Sequence, residues 1–396
     1  MYLPLIRLMA AVLLVACSAA QAQAGQEKTL IIGIDGVQLS QYERLGPDAN
    51  LHRLSYAKAY AGGVIGKPTQ QPTLSGPSWI TLLTGVWADK HGVMSNDAQW
   101  RLDPRYPSVL KRLRQARPDA HIASVVNWSP INSAFLADEV AAFDVVESGL
   151  SDDRVVERVT AILSSTPADL TFAHLDEPDS VAHEYCFGDA YQTALANSDR
   201  RLGMLLDQVQ ARQQRLPKER WLVLLTTDHG RDPAGCGHGG QSESEKTVFI
   251  AANQSLNAEL TDPRPPADNP GPNGLYGYAA QTSLAPTVLR HMNLEPRRAW
   301  LLEGSPLLGA TGVRKLRVDE ASHQLRWFSE ASTRVQIFRN GRRVAQPEAA
   351  RQVWTDPDTM AGVNDYVVEL DDTPVAVRNA AAPSERAKTP SDDAGR

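Results

Sequence analysis

The sequence carries no excess of positive charge: 40 Lys and Arg stand against 46 Asp and Glu, a net charge of −6. That balance argues against a nucleic-acid polymer as partner, because such a binder normally shows a basic face. Beyond the N-terminal segment there is no run of about 18 apolar residues, which excludes an internal membrane span. Internal repeats are lacking as well. Cysteine is scarce, with three in 396 residues, and one of these, Cys17, falls in the leader described next. Cys186 and Cys236 remain, an even pair suited to an oxidising compartment.

What is present is a globular composition, 42% hydrophobic and 22% charged, long enough for one large α/β domain and a small second one. The N-terminus reads as an export signal: Arg7, then the apolar stretch Leu8 to Ala16, then small residues. Ala22-Gln23-Ala24 suits a signal peptidase, giving a signal peptide over 1–24. Leu14-Val15-Ala16-Cys17 instead suits a lipoprotein signal ending at 16, with a lipid anchor on Cys17 as the only membrane attachment. Both readings place the protein outside the cytoplasm, periplasmic or secreted.

Short β-rich apolar runs alternate with segments of helical spacing, the pattern of βαβ units around a mostly parallel sheet flanked by helices. Strands are predicted at Thr29–Ile34, Ile122–Val126, Leu170–Leu175, Trp221–Thr227 and Thr247–Ala251. Leu195, Leu202, Leu205, Leu206 and Val209 share one helical face, and the Pro-rich stretch from Asp262 to Gly274 must be a loop. After about Leu308 the pattern becomes all-β. Leu325-Arg326-Trp327, Val335 to Phe338 and Asp365 to Val368 read as strands, and Asn340-Gly341 as a hairpin turn needing positive φ at both positions. The expected organisation is a catalytic domain over 28–308, a small β-sandwich-like domain of fibronectin III or Ig kind over 312–380, and a disordered tail over 381–396.

Five clusters in the first domain carry candidate chemistry, three of them directly after predicted strands. At the carboxyl edge of an open parallel sheet such residues converge. Asp35 closes the first strand in Gly33-Ile34-Asp35-Gly36; alone it would be an ordinary turn residue or cap. Ser75 opens a helix in Ser75-Gly76-Pro77-Ser78-Trp79, either as a simple capping serine or as a residue at a helix start whose N–H groups can meet a phosphoryl group. Asp179 and His183 stand four apart after Asp176-Glu177, spacing that suits one metal or a surface pair. Asp228-His229 ends a strongly apolar strand, an uncommon pair for packing alone. His238 sits among glycines that let backbone crowd a site. Three Asp, three His and a Ser could hold two divalent ions, zinc being the ion best matched to these O and N donors.

In this order the clusters resemble the metal-binding signature of the alkaline phosphatase superfamily, and most closely its type I phosphodiesterase/nucleotide pyrophosphatase branch. The likeness extends from about Thr29 to Leu308 and includes Leu83-Thr84-Gly85-Val86-Trp87 and His91-Gly92-Val93. The resemblance implies one metal on Asp35, Ser75, Asp228 and His229, and another on Asp179, His183 and His238. It also implies Ser75 as nucleophile and Asn96 as a contact to a phosphoryl oxygen. The chain departs from the branch in three places. Ser75 stands where many of its members have Thr, Ala182 precedes the third-cluster His, and His238 follows Asp228 closely, as in ethanolamine-phosphate transferases. His291 is the fallback ligand, although its setting reads as a helix surface. With Cys186 near His183 and Cys236 near His238, a disulfide joining those two loops is expected.

The implied activity is hydrolysis of a small phosphoester, foremost a diester or nucleotide pyrophosphate, through a phosphoseryl intermediate. A phosphomonoesterase would use the same site with added positive charge from Lys67 or Arg231. A sulfatase is disfavoured because Trp79 occupies the Arg position of its Cys/Ser-x-Pro-x-Arg motif. A non-catalytic surface binding protein would have no need of the full ligand set. Asp176, Glu177 and His174 are expected in supporting roles. Trp79, Trp87, Trp100 and Trp128 could stack on a substrate, though each suits a core position.

Overall fold

The computed structural model describes residues 27–165, 169–358 and 362–379. The export signal, Cys17 and the C-terminal tail from 381 lie outside the described residues. Two compact units are present: one runs to Pro296 and takes in Leu302–Thr311, and the other comprises Arg297–Leu301 and continues from Gly312.

The first unit is built on an eight-stranded sheet. Its strands are β1 (Glu27–Ile34), β2 (Ser55–Tyr60), β3 (Ile122–Val126), β4 (Val145–Glu147), β5 (Leu170–Leu175), β6 (Arg220–Thr226), β7 (Thr247–Ala252) and β8 (Ala279–Ala280), in the order β4-β3-β5-β1-β6-β7-β2-β8. β1 pairs in parallel with β5 and β6, and β3 with β4 and β5. β7 runs antiparallel to both β6 and β2. The five strands expected from the sequence all form, within a residue or two at each end. Their eight-residue or shorter runs are apolar on both faces because helices cover both sides.

On one face Leu30, Ile32, Ile34, Ala173, Leu175, Val223 and Leu225 join a core with Val155, Val159, Leu195, Leu202 and Val209. The latter come from α3 (Asp152–Ser165) and the long α5 (Asp189–Arg215). The other face receives α1 (Ser75–Thr84), whose residues are all buried. Further helices on the chain are α2 (Val109–Ala116), α4 (Glu177–Tyr185) and α6 (Leu284–His291). Trp79 of α1 lies on β5, with its ring 5.8 Å from Phe172 and 5.0 Å from His174. Gly33 of β1 is required there: a Cβ would come within 2.3 Å of the Trp79 ring.

Register places the site. Gly33 pairs with His174 on one side and Thr226 on the other, so β1, β5 and β6 end level. Asp35, Asp176 and Asp228 emerge side by side at their carboxyl ends.

In the second unit, strands β9 (Arg314–Asp319), β10 (Gln324–Phe328) and β13 (Val353–Thr355) form one antiparallel sheet. β11 (Gln336–Arg339), β12 (Arg342–Ala345), β14 (Asn364–Leu370) and β15 (Thr373–Asn379) form another. Val318, Leu325, Trp327, Ile337, Tyr366 and Val368 from both sheets share one core. The expected hairpin turn is present, with positive φ at Asn340 and Gly341.

Candidate metal centre

The candidate side chains are delivered by strand ends, by the start of α1, by α4 and by the loop that carries His238. Asp35 leaves β1 with its N–H bonded to Leu175 O at 2.9 Å, and Gly36 turns away at φ +63°. There a Cβ would lie 2.3 Å from Asp179 Oδ1, so only glycine lets the chain pass this close. Thr227 Oγ1 accepts the Val37 N–H at 3.0 Å and Asp228 Oδ1 accepts the Gly36 N–H at 3.2 Å, which ties the β6 end to the β1 end.

Four polar atoms meet in one buried hub. His229 Nε2 lies 3.3 Å from Ser75 Oγ, 3.2 Å from Asp228 Oδ2 and 3.6 Å from Asp35 Oδ1. Ser75 Oγ is 3.5 Å from Asp35 Oδ1. His229 Nδ1 faces Gly230 O at 3.0 Å, so that nitrogen carries the proton and Nε2 presents its lone pair to the hub. Burial first, and then the nearby His238, lower the His229 pKa to about 4, so the ring is neutral at pH 7.

A second group lies alongside. His183 Nε2 is 3.2 Å from Asp179 Oδ2 and 3.0 Å from His238 Nε2, while His238 Nε2 is 3.8 Å from Asp179 Oδ1. His238 Nδ1 faces Thr73 O at 2.9 Å, which again leaves Nε2 free to ligate. The His229 and His238 rings stack at 3.7 Å, so the two groups are contiguous. Asp35, Asp228 and His229 can offer ligand atoms within 4.8 Å of one another, and so can Asp179, His229 and His238.

The donor set fits cations. Asp228 Oδ2 is buried with no hydrogen-bond partner. Burial, then the charges of Asp35 and Asp179, push the Asp228 carboxyl well above its ordinary pKa. Three carboxylates and three imidazoles aimed at one another at a strand edge are a poor arrangement unless positive charge sits among them.

Trp79 was expected only as a core or stacking residue, whereas His174 and Asp176 were expected in support. Trp79 Nε1 donates to Asp35 Oδ2 at 3.0 Å, and His174 Nε2 meets the same oxygen at 3.1 Å. Together they turn Asp35 Oδ1 toward Ser75. Trp79 thus proves to be a core residue that also holds a carboxylate. His174 and Asp176 form a third close set with Asp35. The Asp176 carboxyl is raised to about 7 by burial and by the charge of Asp35. Glu177 lies outside these sets and pairs with Arg201.

Asn96 sits beside the start of α1 and accepts the Gly76 N–H on Oδ1 at 2.7 Å. The α1 start therefore offers fewer free donors than its sequence suggests: the Gly76 N–H is taken, Pro77 has none, and Ser78 N–H bonds Leu74 O at 3.0 Å. Arg231 is fully buried and paired with Asp179, so it is committed within the fold. His291 lies at the opposite end of the sheet, 3.1 Å from Lys28 O and Arg220 O, and is removed from the site. Cys186 and Cys236 form a disulfide, joining the end of α4 to the His238 loop.

The type I phosphodiesterase/nucleotide pyrophosphatase family matches residues 29–128, and the metalloenzyme superfamily matches residues 120–246. Between them the two matches contain every site residue described above. These matches bear out the resemblance to the alkaline phosphatase superfamily, with the type I phosphodiesterase/nucleotide pyrophosphatase branch matched over the N-terminal part. Among solved structures it is similar to murine ectonucleotide pyrophosphatase/phosphodiesterase 5, at 14% identity over 72% of this chain and 97% of that one, with a TM-score of 0.47. It is also similar to a 2-O GAG sulfatase, at 13% identity over 87% and 81% of the two chains, TM-score 0.49. A third is the C-terminal periplasmic domain of EcEptC from Escherichia coli, at 13% identity over 68% and 82%, TM-score 0.44. No curated protein sequence matches the chain.

Proposed function

We propose that the chain is an exported hydrolase of small phosphoesters that prefers diesters and uses Ser75 as its nucleophile. The observation that carries this reading is the meeting of Ser75 Oγ, Asp35 Oδ1, Asp228 Oδ2 and His229 Nε2 within one buried hub. Two divalent ions, zinc in this reading, held by Asp35, Ser75, Asp228 and His229 and by Asp179, His183 and His238, would supply the charge that lowers the Ser75 hydroxyl pKa and stabilises the leaving oxygen.

Ser75 Oγ, its proton lost to solvent, bonds to phosphorus in line as one ester alcohol leaves; water then breaks the seryl O–P bond, restoring the hydroxyl and releasing the remaining phosphate monoester. Asp35 is kept in place for this by Trp79 and His174. The Gly76 N–H fixes Asn96 Oδ1, which leaves the Asn96 amide NH₂ to donate to a non-bridging phosphoryl oxygen. Preference for a diester is supported by Arg231. A dianionic monoester needs additional positive charge, and this buried guanidinium is already spent on Asp179. The disulfide supports an oxidising, extracytoplasmic compartment, and no helix among the described residues is long and apolar enough to cross a membrane.

The test is hydrolysis of bis-p-nitrophenyl phosphate against p-nitrophenyl phosphate, with and without a chelator. Chelator-sensitive turnover favouring the diester is expected. Preference for the monoester would move the reading to a phosphatase with the same site. No turnover of either by zinc-loaded protein would favour a sulfatase or a binding protein.

A further inference from the structure

We propose that Arg231 is the positioning residue of the Asp179, His183 and His238 group, locking all three ligands through one guanidinium. This rests on the two-metal reading above. Arg231 directly follows the Asp228-His229-Gly230 turn and is fully buried. A buried guanidinium is costly unless its donors are satisfied, and here each nitrogen has a partner on an element that carries a ligand. Nη1 bonds Asp179 Oδ1 on α4. Nε donates to Gly235 O at 2.8 Å and Nη2 to Cys236 O at 3.0 Å.

The consequences for the ligands follow from those bonds. With Oδ1 held by Arg231, Asp179 turns Oδ2 toward His183. The two carbonyls lie just ahead of His238, so the loop is fixed where it delivers that ring. Asp232 closes the same loop, accepting the N–H groups of Gly235, Cys236 and Gly237. The disulfide then links Cys236 to Cys186, three residues beyond His183. Gly36 packs directly on the pair, with room for no Cβ: one would lie 2.9 Å from Arg231 Nη1. One planar fork therefore ties α4, the His238 loop and the β1 turn together. A lysine would restore the charge but not three bonds in fixed directions.

The test is zinc titration of metal-free protein in competition with a chromophoric chelator, which counts equivalents and affinities without using activity. Wild type should bind two equivalents; fewer would sink the two-metal reading itself, and this inference with it. In Arg231→Met one equivalent should weaken by about 10–100-fold, the scale for losing a group that orients a ligand, while the other keeps its affinity. Arg231→Lys should weaken the same equivalent to a smaller extent, and it decides the matter alone if the Met variant does not fold. Wild-type affinity at both sites in Arg231→Lys, or equal weakening of both equivalents, would overturn the proposal.

Discussion

The two halves of the site are built to different standards of rigidity. Asp35, Asp228 and His229 grow directly from central strands, and each is fully or almost fully buried. Asp179, His183 and His238 hang on a nine-residue helix and a glycine-rich loop, and the His183 side chain is 48% exposed. The inner half inherits its geometry from sheet register, which is fixed by an apolar core on both faces. The outer half meets that core through Ala182 of α4 and is held further by specific links: a disulfide, the Arg231 fork and the Asp232 turn. Strand ends thus hold the surroundings of Ser75, while specific tethers hold Asp179, His238 and the more exposed His183.

Removing one imidazole from each half breaks the comparison most sharply. His229→Ala should lower diester turnover by on the order of 10³-fold, because several kcal/mol of charge stabilisation are lost with no route for repair. His183→Ala should lose about tenfold less, some 1.4 kcal/mol, and recover in excess zinc, since water can reach its place. Equal losses, unrelieved by zinc, would mean that the halves do not differ.

Cys186→Ser should come next in size. Breaking this link is expected to cost about 2–4 kcal/mol, as for disulfides generally, and to act locally. Amide exchange should rise over the loop around His238 and stay unchanged in β1 and β6. Uniform acceleration would show that the tether supports the whole unit rather than the outer half.

A smaller effect sharpens the view of the inner half. In metal-free protein the Asp228 carboxyl is pushed up by burial and by Asp35 and Asp179, so the folded chain binds that proton more tightly than the unfolded chain. Stability from this group is fully present below the ordinary carboxylate pKa of about 4 and declines as pH rises above it. Asp228→Asn removes this loss, so its melting temperature in chelator should gain on wild type as pH increases from 4 to 7. A constant difference across that range would contradict the crowding of charge inferred for the hub.

The inner half was also the more legible in sequence. Asp35 directly follows an apolar run and Asp228-His229 follow one after two threonines, and a polar residue just past a buried strand must lie at the sheet edge. The five apolar runs gave the sheet's centre for the same reason. β2, flanked only by the two-residue strand β8 on its outer side, and the edge strand β4 are half exposed and lack that signal, as does the antiparallel sense of β7. Trp79 and His174 could not be assigned to Asp35 because one meets it only when α1 packs across β1 and β5, and the other only when β5 pairs with β1, 44 and 139 residues away in sequence. Arg231 was visible as a charge beside the site, but nothing local indicates that it turns inward to Asp179. The Gly33 contact with Trp79 gave a weak hint, since glycine inside a strand often marks a close approach.

The most direct measurement is acid-quenched mass spectrometry during diester turnover, run beside Ser75→Ala. The account predicts one phosphoryl group, still carrying the substrate's second ester group, on the peptide containing Ser75 in wild type. In the variant it predicts loss of that mark together with a fall in turnover of about 10⁴-fold or more, the scale for removing a nucleophile. Undiminished turnover by Ser75→Ala would contradict it.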